Sequence, residues 1–358
     1  MTCLKNIIFI LIVFLLLIII IKNKKETFSN YAYLNIDNNH KNIDTSINKI
    51  NTKINKTRKI KNNGLKISIA SMVTKHPDFD LWLEYHLNTL RIDHIFLRVE
   101  DSPEYKKFID KYEGRITATY HTKNDIDMKH NYLTIMDRQK ELVNTSLDKA
   151  RNLGMDVLFH TDADELIYVK SENKEKAHFK IREYLKEAIK NNSDLGCIHF
   201  KNFEAVFPNN REKCFNTNKF IDCKKGKCLS YANGKSCGIV NNGARFRGPH
   251  YFTGKVYNMP DDKMAVLHFD SCTYNQWFTK FNLLKDTNEE KMKKIPFPFY
   301  KNSIRKLKDC HKSKSMNEYN NDQDITQKCS SDLNKYFKEQ KIEPYYKYNN
   351  LREFNTFF

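Results

Sequence analysis

Residues 155–169 read MDVLFHTDADELIYV, and this stretch is the most informative in the chain. An apolar run stops at Asp162-Ala163-Asp164-Glu165, and a second apolar run follows at once. A short apolar run that ends in a turn indicates a buried strand. Ligands of open α/β sheets bind beyond the carboxyl ends of such strands, so the sequence predicts that these acids lie at a ligand site.

The two aspartates of this turn are candidate metal ligands. Asp162 and Asp164 point to the same side if the chain stays extended, since side chains alternate along a strand. Such a carboxylate pair suits a hard divalent cation, Mg²⁺ or Mn²⁺, which keeps open positions for phosphate oxygens. Short acidic triplets are also common in solvated turns. Delivery of the acids by an apolar strand favours the metal site.

Strand-like and helix-like stretches alternate over residues 65–300. This β-α-β order predicts an α/β domain with a Rossmann-like, mostly parallel sheet flanked by helices. Residues 301–358 form a predicted helical extension that packs on this domain or shapes an acceptor site. The predicted strands are 65–73, 94–99, 116–120, 155–160, 195–200 and 264–269, and the predicted helices are 79–90, 104–112, 132–153 and 274–292.

The amino-terminal part of the chain has a different composition. Residues 7–21, IIFILIVFLLLIIII, are continuously apolar and lie between lysines, and no small-residue cleavage signal follows them. We therefore predict an uncleaved signal anchor over residues 1–22. The expected protein is single-pass and of type II, in a Golgi/ER-like or viral membrane compartment. Residues 23–64 form a basic stem rich in Asn and Lys, which cannot bury a core.

The formal net charge of +18 does not by itself indicate nucleic-acid binding. The chain has no zinc-finger spacing, no RNA-binding aromatic signature and no arginine cluster. We therefore expect no nucleic-acid partner.

Several segments together resemble a known enzyme family. Residues 67–102 contain a strand, a helix with Trp82, Tyr85 and His86, and a second strand that ends in an acidic turn. The helix DRQKELVN precedes the Asp-x-Asp-Glu turn, and Leu267-His268-Phe269 is followed by Trp277 and Lys280. This order is similar to that of family 2-like and family 92 glycosyltransferases.

The resemblance implies a GT-A fold and transfer of a sugar from a nucleotide-sugar donor to a glycan, protein or lipid acceptor. It implies that Asp162 and Asp164 bind Mn²⁺ or Mg²⁺ on the donor diphosphate. It places Glu100 and Asp101 near the nucleoside, and Arg138 near the base or phosphates. For Arg138 the alternative is a surface ion pair with Asp137 or Glu141. Lys75-His76 and Leu81 depart from the family's pattern, which leaves the choice of donor open.

Histidine and basic side chains extend the candidate site. His268 follows a predicted strand and is a candidate third metal ligand; His250, in a glycine-rich loop, is its rival. The alternative for each of them is an ordinary histidine of the core or of a loop, with no metal. Lys235, Arg245 and Arg247 are candidate phosphate contacts, with solvated loop cations as the alternative.

The catalytic base has three candidates by position alone. Inverting sugar transfer needs a carboxylate that takes the proton of the acceptor hydroxyl. Glu204, Glu165 and Asp270 each lie next to a predicted strand. A retaining mechanism would not need the same group, and the sequence leaves the stereochemistry open.

Cysteines crowd a loop-like stretch of the domain. Cys214, Cys223, Cys228 and Cys237 lack the C-x₂-C pairs of zinc ribbons, so their spacing favours disulfides over structural zinc.

Two other classes of function stay open. The first is a non-catalytic carbohydrate-binding or surface protein that retains the fold. The second is a nucleotidyl or phosphoryl transferase, although the chain has no G-x-x-x-x-G-K-[ST] phosphate loop.

Overall fold

The structure of the protein is a computed structural model that describes residues 64–122, 125, 131–192, 194–207, 213–223, 228–317, 323–346 and 351–355. All of them belong to one unit, Gly64–Phe358. The strands are β1 (Ile67–Val73), β2 (His94–Glu100), β3 (Ile116–His121), β4 (Val157–His160), β5 (Glu165–Val169), β6 (Leu195–Phe200), β7 (Asn202–Ala205), β8 (Lys219–Asp222), β9 (Lys235–Ile239), β10 (Phe246–Gly248), β11 (Tyr251–Phe252), β12 (Lys255–Asn258), β13 (Met264–His268) and β14 (Arg352–Glu353). The helices are α1 (Phe79–Glu84), α2 (Lys106–Ile109), α3 (Asn131–Asn152), α4 (Lys174–Lys190), α5 (Tyr274–Leu284), α6 (Glu289–Lys293), α7 (Pro298–Asn317), α8 (Gln323–Phe337) and α9 (Glu343–Tyr346).

A large, mostly parallel sheet forms the centre of the fold, as the alternating sequence pattern predicts. Its strand order is β12-β6-β9-β4-β1-β2-β3, and β1 pairs in parallel with both β2 and β4. Strand β9 lies antiparallel between β4 and β6, a detail that the sequence pattern does not indicate. The sheet is therefore parallel where it carries the acidic turn.

Apolar cores cover both faces of this sheet. Alternate residues of each strand point to opposite sides, so one strand contributes to both cores. Ile67 and Ile69 of β1 belong to the larger apolar core, whereas Ala70 belongs to a second core. Val143 and Leu147 of α3 lie in that second core. The prediction of helices on both faces is confirmed.

A second sheet, with strand order β14-β8-β7-β13-β5, begins directly after the acidic turn. Strand β13 is antiparallel to β5 and parallel to β7. These pairings bring together strands that lie far apart in the sequence, and they assemble the candidate site.

Helix α1 and the π-helical turn Tyr85–Thr89 form hydrogen bonds to the backbone of β5. The indole Nε1 of Trp82 donates to the carbonyl of Glu165 at 2.8 Å, and the hydroxyl of Tyr85 donates to the carbonyl of Ile167 at 2.9 Å. The ring of His86 lies 2.9 Å from the carbonyl of Trp82. The Trp-x-x-Tyr-His pattern therefore has a structural role beside the acidic turn.

His86 gives the fold a pH dependence. Burial lowers the pKa of His86 to about 3, against the opposing hydrogen bond to the Trp82 carbonyl. Between pH 6.5 and about pH 3 the unfolded chain binds a proton here that the folded chain does not, so stability falls as the pH falls. We expect His86 to remove about 2 kcal/mol from the free energy of unfolding between pH 7 and pH 5, measured by urea denaturation.

The matched variants test whether His86 causes this slope. In His86→Gln the unfolding free energy should no longer fall by this amount between pH 7 and pH 5. In His121→Gln, at a half-exposed position, nearly the whole wild-type decrease should remain. An equal slope in wild type and His86→Gln would contradict the assignment.

One predicted helix is in fact two. The sequence predicts a helix over residues 274–292, but α5 ends at Leu284 and α6 begins at Glu289. The side chain of Asn288 accepts a hydrogen bond from the amide of Lys291 and caps the new helix. Local capping therefore interrupts the apolar period.

The carboxyl-terminal helices join the larger core. Ile304 and Leu307 of α7 and Leu333 and Phe337 of α8 are buried in it. The boundary predicted at residue 300 stays a prediction.

Disulfides form as the cysteine spacing predicts, although not all within the crowded stretch. The bonded pairs are Cys214–Cys272, Cys223–Cys228 and Cys310–Cys329. Cys237 is a buried free thiol on β9.

The prediction of a membrane location needs correction. No helix in the described ranges is both long enough and apolar enough to cross a membrane. The long helices α3 and α7, of 22 and 20 residues, carry many charged side chains. This finding contradicts the prediction of a single-pass membrane protein, which we withdraw. The apolar run 7–21 and the stem 23–64 lie outside the described residues, apart from Gly64.

Candidate functional site

The acidic turn connects the two sheets. Asp162 and Asp164 lie between the end of β4 and the start of β5, at the carboxyl edge of the parallel strands. Lys75, Asp101 and Ser271, which follow β1, β2 and β13, have backbone φ angles of 43°, 45° and 50°. Left-handed φ angles are costly for residues other than glycine, and they concentrate at functional sites.

Three predicted site residues form one row across the second sheet. His268 of β13 pairs with Glu165 of β5 on one side and with Glu204 of β7 on the other. Side chains that are directly opposite in neighbouring strands share a face. Strand register therefore brings these three side chains together.

A candidate metal centre lies at the end of this row. Asp164, His268 and Asp270 each offer a ligand atom, and these atoms all lie within 4.8 Å of one another. His268 and Asp270 are buried, and Asp164 is partly exposed. The cluster contains the predicted Asp164 and His268, together with Asp270, which the sequence offers as a catalytic base. Among the described residues, Glu204, Cys223 and Cys228 also lie close enough together to hold a metal ion, but the two cysteines are joined in a disulfide.

Glu204 orients the imidazole of His268. The Nδ1 atom lies 3.4 Å from a Glu204 carboxylate oxygen and 3.2 Å from the hydroxyl of Ser230, which itself donates to Glu204. The opposite ring nitrogen, Nε2, lies 3.7 Å from the carboxylate of Asp164. A carboxylate behind a histidine is the usual arrangement that directs the far nitrogen to a metal ion.

The donor set fits a divalent cation. The Oδ2 atom of Asp270 is buried and has no hydrogen-bond partner among the described residues, although the ammonium of Lys341 lies 3.8 Å from it. Two carboxylates with one imidazole favour Mn²⁺ over Mg²⁺, because Mg²⁺ prefers oxygen ligands alone.

The charges of the cluster balance one another. Burial opposes the charge on Asp164, but His268 outweighs it and holds the pKa of that carboxyl well below its usual range. Burial also opposes the charge on His268, but Asp164 and Glu204 raise the pKa of its imidazole well above the ordinary value. The shifts therefore favour opposite charges on Asp164 and His268, although both side chains are largely buried.

Asp162 lies apart from this cluster. Its carboxylate accepts from the ammonium of Lys235 at 2.6 Å and from the amide of Gln139 at 3.0 Å. The Lys235 side chain is 1 % exposed and also lies 3.5 Å from Glu165. The predicted phosphate contact Lys235 is thus paired with the first aspartate of the turn.

Glu165 is held on several sides. The hydroxyl of Tyr231 and the backbone amide of Asp162 both donate to its carboxyl group. Burial raises the pKa of Glu165 to about 8, in spite of the nearby charge of Lys235.

The residues predicted near the nucleoside are also paired. Arg98 and Arg138 donate to the same oxygen of Glu100, at 2.7 Å and 2.8 Å. Arg138 therefore forms an ion pair with Glu100, on another element of the fold. Asp101 lies 2.9 Å from the ammonium of Lys75.

The glycine-rich loop contributes His250 at a different place from His268. Its Nδ1 atom lies 2.7 Å from the carbonyl of Gly234, and it is not part of the metal cluster. Arg245 is exposed and pairs with Asp148 at 2.8 Å. Arg247 is exposed as well.

None of the candidate bases reaches the surface. The side chains of Glu165, Glu204 and Asp270 are 0 % exposed. A general base must contact the proton that it removes, although catalytic contacts often form only with substrate bound. Their role as base stays a prediction.

Two lysines neutralise this cluster; the sequence indicates Lys280 without an ion pair and does not indicate Lys341. Lys341, in the π-helical turn Lys338–Ile342, lies 2.9 Å from Glu204 and 3.8 Å from Asp270. Lys280 of α5 donates to Asp270 and to the hydroxyl of Tyr300. Lys280 follows His268 in the family-like pattern, whereas no local signal marks Lys341.

Comparisons with known proteins do not assign a family. No family model matches the chain, and no curated protein sequence matches it. The resemblance to family 2-like and family 92 glycosyltransferases therefore stays a prediction.

Solved structures show only a distant likeness. A 4-diphosphocytidyl-2C-methyl-D-erythritol synthase from Anaerococcus prevotii has a TM-score of 0.26 at 14 % identity, over 50 % of this chain and 71 % of that one. Another synthase of the same name has a TM-score of 0.24 at 11 % identity, over 49 % and 76 %. A mannose-1-phosphate geranyltransferase from Thermus thermophilus has a TM-score of 0.25 at 10 % identity, over 68 % and 64 %. Likeness at these TM-scores supports no argument about activity.

Proposed function

We propose that this protein is a metal-dependent transferase that acts on a nucleotide-linked donor, and that the group it moves is a sugar. The cluster of Asp164, His268 and Asp270 carries this proposal, because it lies where open α/β sheets bind ligands. The GT-A type of the fold is part of the same proposal.

Each residue of the cluster has a distinct task. Asp164, His268 and Asp270 would hold Mn²⁺, and Glu204 keeps the Nε2 atom of His268 directed at the ion position. When bound, the ion neutralises negative charge on the leaving nucleoside diphosphate. Lys280, whose ammonium donates to Asp270 and to the hydroxyl of Tyr300, would hold Asp270 beside the ion position.

The donor and acceptor positions are proposed with the same function. Glu100, Asp101 and Arg138 would face the nucleoside, and Asp162 with Lys235 would border the donor phosphates. The acceptor would be a glycan, protein or lipid.

Nucleotidyl transfer is the second candidate. A divalent ion at the same cluster would also neutralise the charge of the pyrophosphate that leaves a nucleoside triphosphate.

Product analysis tests both candidates on the full chain. We expect nucleoside diphosphate and sugar to be released from one member of a nucleotide-sugar panel in Mn²⁺, and release to stop in EDTA. In parallel, sugar 1-phosphates with nucleoside triphosphates are assayed for pyrophosphate.

The outcomes separate the candidates. Metal-dependent pyrophosphate release without diphosphate release would replace sugar transfer by nucleotidyl transfer. A folded protein that binds a sugar but turns over no donor would be a binding protein. The absence of both turnover and Mn²⁺ binding would refute the metal-dependent transferase.

A further inference from the structure

A cavity lies at the edge of the central sheet opposite the candidate metal centre. It has a volume of about 940 Å³, and Gly64, Asp93 and Arg115, which precede β1, β2 and β3, line it. The candidate metal centre is at the carboxyl edge of the same strands. Because β1 has 7 residues, the two edges are roughly 20 Å apart. The cavity is therefore not part of the site described above.

One face of helix α4 forms a wall of this cavity. His178, Arg182 and Lys186 follow one another at intervals of four residues and line it together. Residues at this spacing lie on the same side of a helix. Arg91 and Arg115 line the cavity from the other side.

The acidic residues of the cavity are already paired. Asp93 lies 3.0 Å from Arg182, and Glu183 lies 2.9 Å from Lys180. These pairs leave no spare negative charge in the wall.

Among the described residues, the remaining cations of the wall have no acidic partner. Within the described ranges, no carboxylate lies at ion-pair distance from Arg91, Arg115 or Lys186. Arg115 instead donates to the carbonyls of Leu87 and Ile92, at 2.6 Å and 2.8 Å. The cavity therefore has a surplus of positive charge.

His178 supplies an independent sign of a ligand. The residue is 7 % exposed, and its Nε2 atom is buried without a hydrogen-bond partner in the described part of the chain. The ring also bonds to the backbone of Glu175. A buried polar atom without a partner is uncommon in native proteins, and this one belongs to a side chain that lines a cationic cavity.

We propose that this cavity binds a phosphate group, free or esterified, between Arg91, Lys186 and His178. Guanidinium and ammonium groups donate to phosphate oxygens. The hydroxyl of a singly protonated phosphate donates to the Nε2 atom of His178. The exposed ring of Phe179, 64 % accessible beside the cavity, would cover the organic part of a phosphate ester.

Equilibrium binding by the full chain, in EDTA, tests the proposal. Inorganic phosphate and glucose 1-phosphate are titrated separately, so that free and esterified phosphate are distinguished. Arg91→Gly/Lys186→Met should weaken binding by about tenfold or more. Arg91 has a φ of 49°, so glycine removes its charge and relieves the backbone at the same time.

The controls distinguish binding in this cavity from binding elsewhere on the chain. Lys190→Met removes an exposed charge from the end of the same helix and should change the dissociation constant less than about twofold. Equal weakening by Lys190→Met would overturn the proposal in favour of general charge attraction. Loss of binding only in Lys235→Met would place the phosphate beside Asp162, at the carboxyl edge of the sheet, and would overturn the proposal. The absence of phosphate binding by the wild-type chain would overturn it as well.

Discussion

Asparagine in place of Asp164 is expected to abolish Mn²⁺ binding and to lower metal-dependent turnover by about 10³-fold, which is roughly 4 kcal/mol of transition-state stabilisation. Asp164 is the most exposed member of the cluster, at 18 % of its side chain, and it faces His268 directly. The substitution keeps the shape of the side chain but removes the charge that a cation needs. Titration with Mn²⁺ followed by electron paramagnetic resonance measures binding without any knowledge of the donor.

Two further variants show which aspartates hold the ion. Asp162→Asn should retain Mn²⁺ binding within a few-fold, because the Asp162 carboxylate is occupied by Lys235 and Gln139. Asp148→Asn makes the same change of charge at an exposed position and should have no effect. Loss of binding in Asp162→Asn but not in Asp164→Asn would overturn the cluster.

Methionine in place of Lys341 is expected to lower the free energy of unfolding by about 3–5 kcal/mol. The side chains of Lys341 and Glu204 are both 0 % exposed, and their charged atoms are 2.9 Å apart. Without the ammonium group, Glu204 would keep a buried charge with fewer partners, and the cost of that burial appears as lost stability. Chemical denaturation of the purified variant measures this loss.

A surface pair provides the matched control. Lys335 lies 3.8 Å from Glu339 on the same helical segment, and both side chains are largely exposed. Lys335→Met should therefore change stability by less than about 1 kcal/mol. The double variant Lys341→Met/Glu204→Gln should recover part of the lost stability, because both charges are gone. A Lys341→Met variant as stable as wild type would show that the buried pair does not stabilise the fold.

The candidate metal centre shows how much of a site can be predicted from local sequence. Asp164 is recognisable because an apolar strand ends just before it, and His268 because it closes another apolar run. Glu204 is recognisable only by its position, and its contact with His268 depends on the register between β7 and β13. The sequence predicts a catalytic role for Asp270, whereas the structure groups it with the candidate metal ligands.

The order of strands and helices around the acidic turn can be predicted from the sequence alone, and strand β6 has the predicted bounds, because apolar periodicity is a property of neighbouring residues. The cysteine spacing also favoured disulfides over a zinc site, and three disulfides are present among the described residues. Three features are visible only in the folded chain: β9 runs antiparallel, Asp162 pairs with Lys235, and Lys341 contacts Glu204, which is 137 residues away in the sequence. Register and the pairing of buried charges depend on the packing of the whole domain, and no local pattern records that packing.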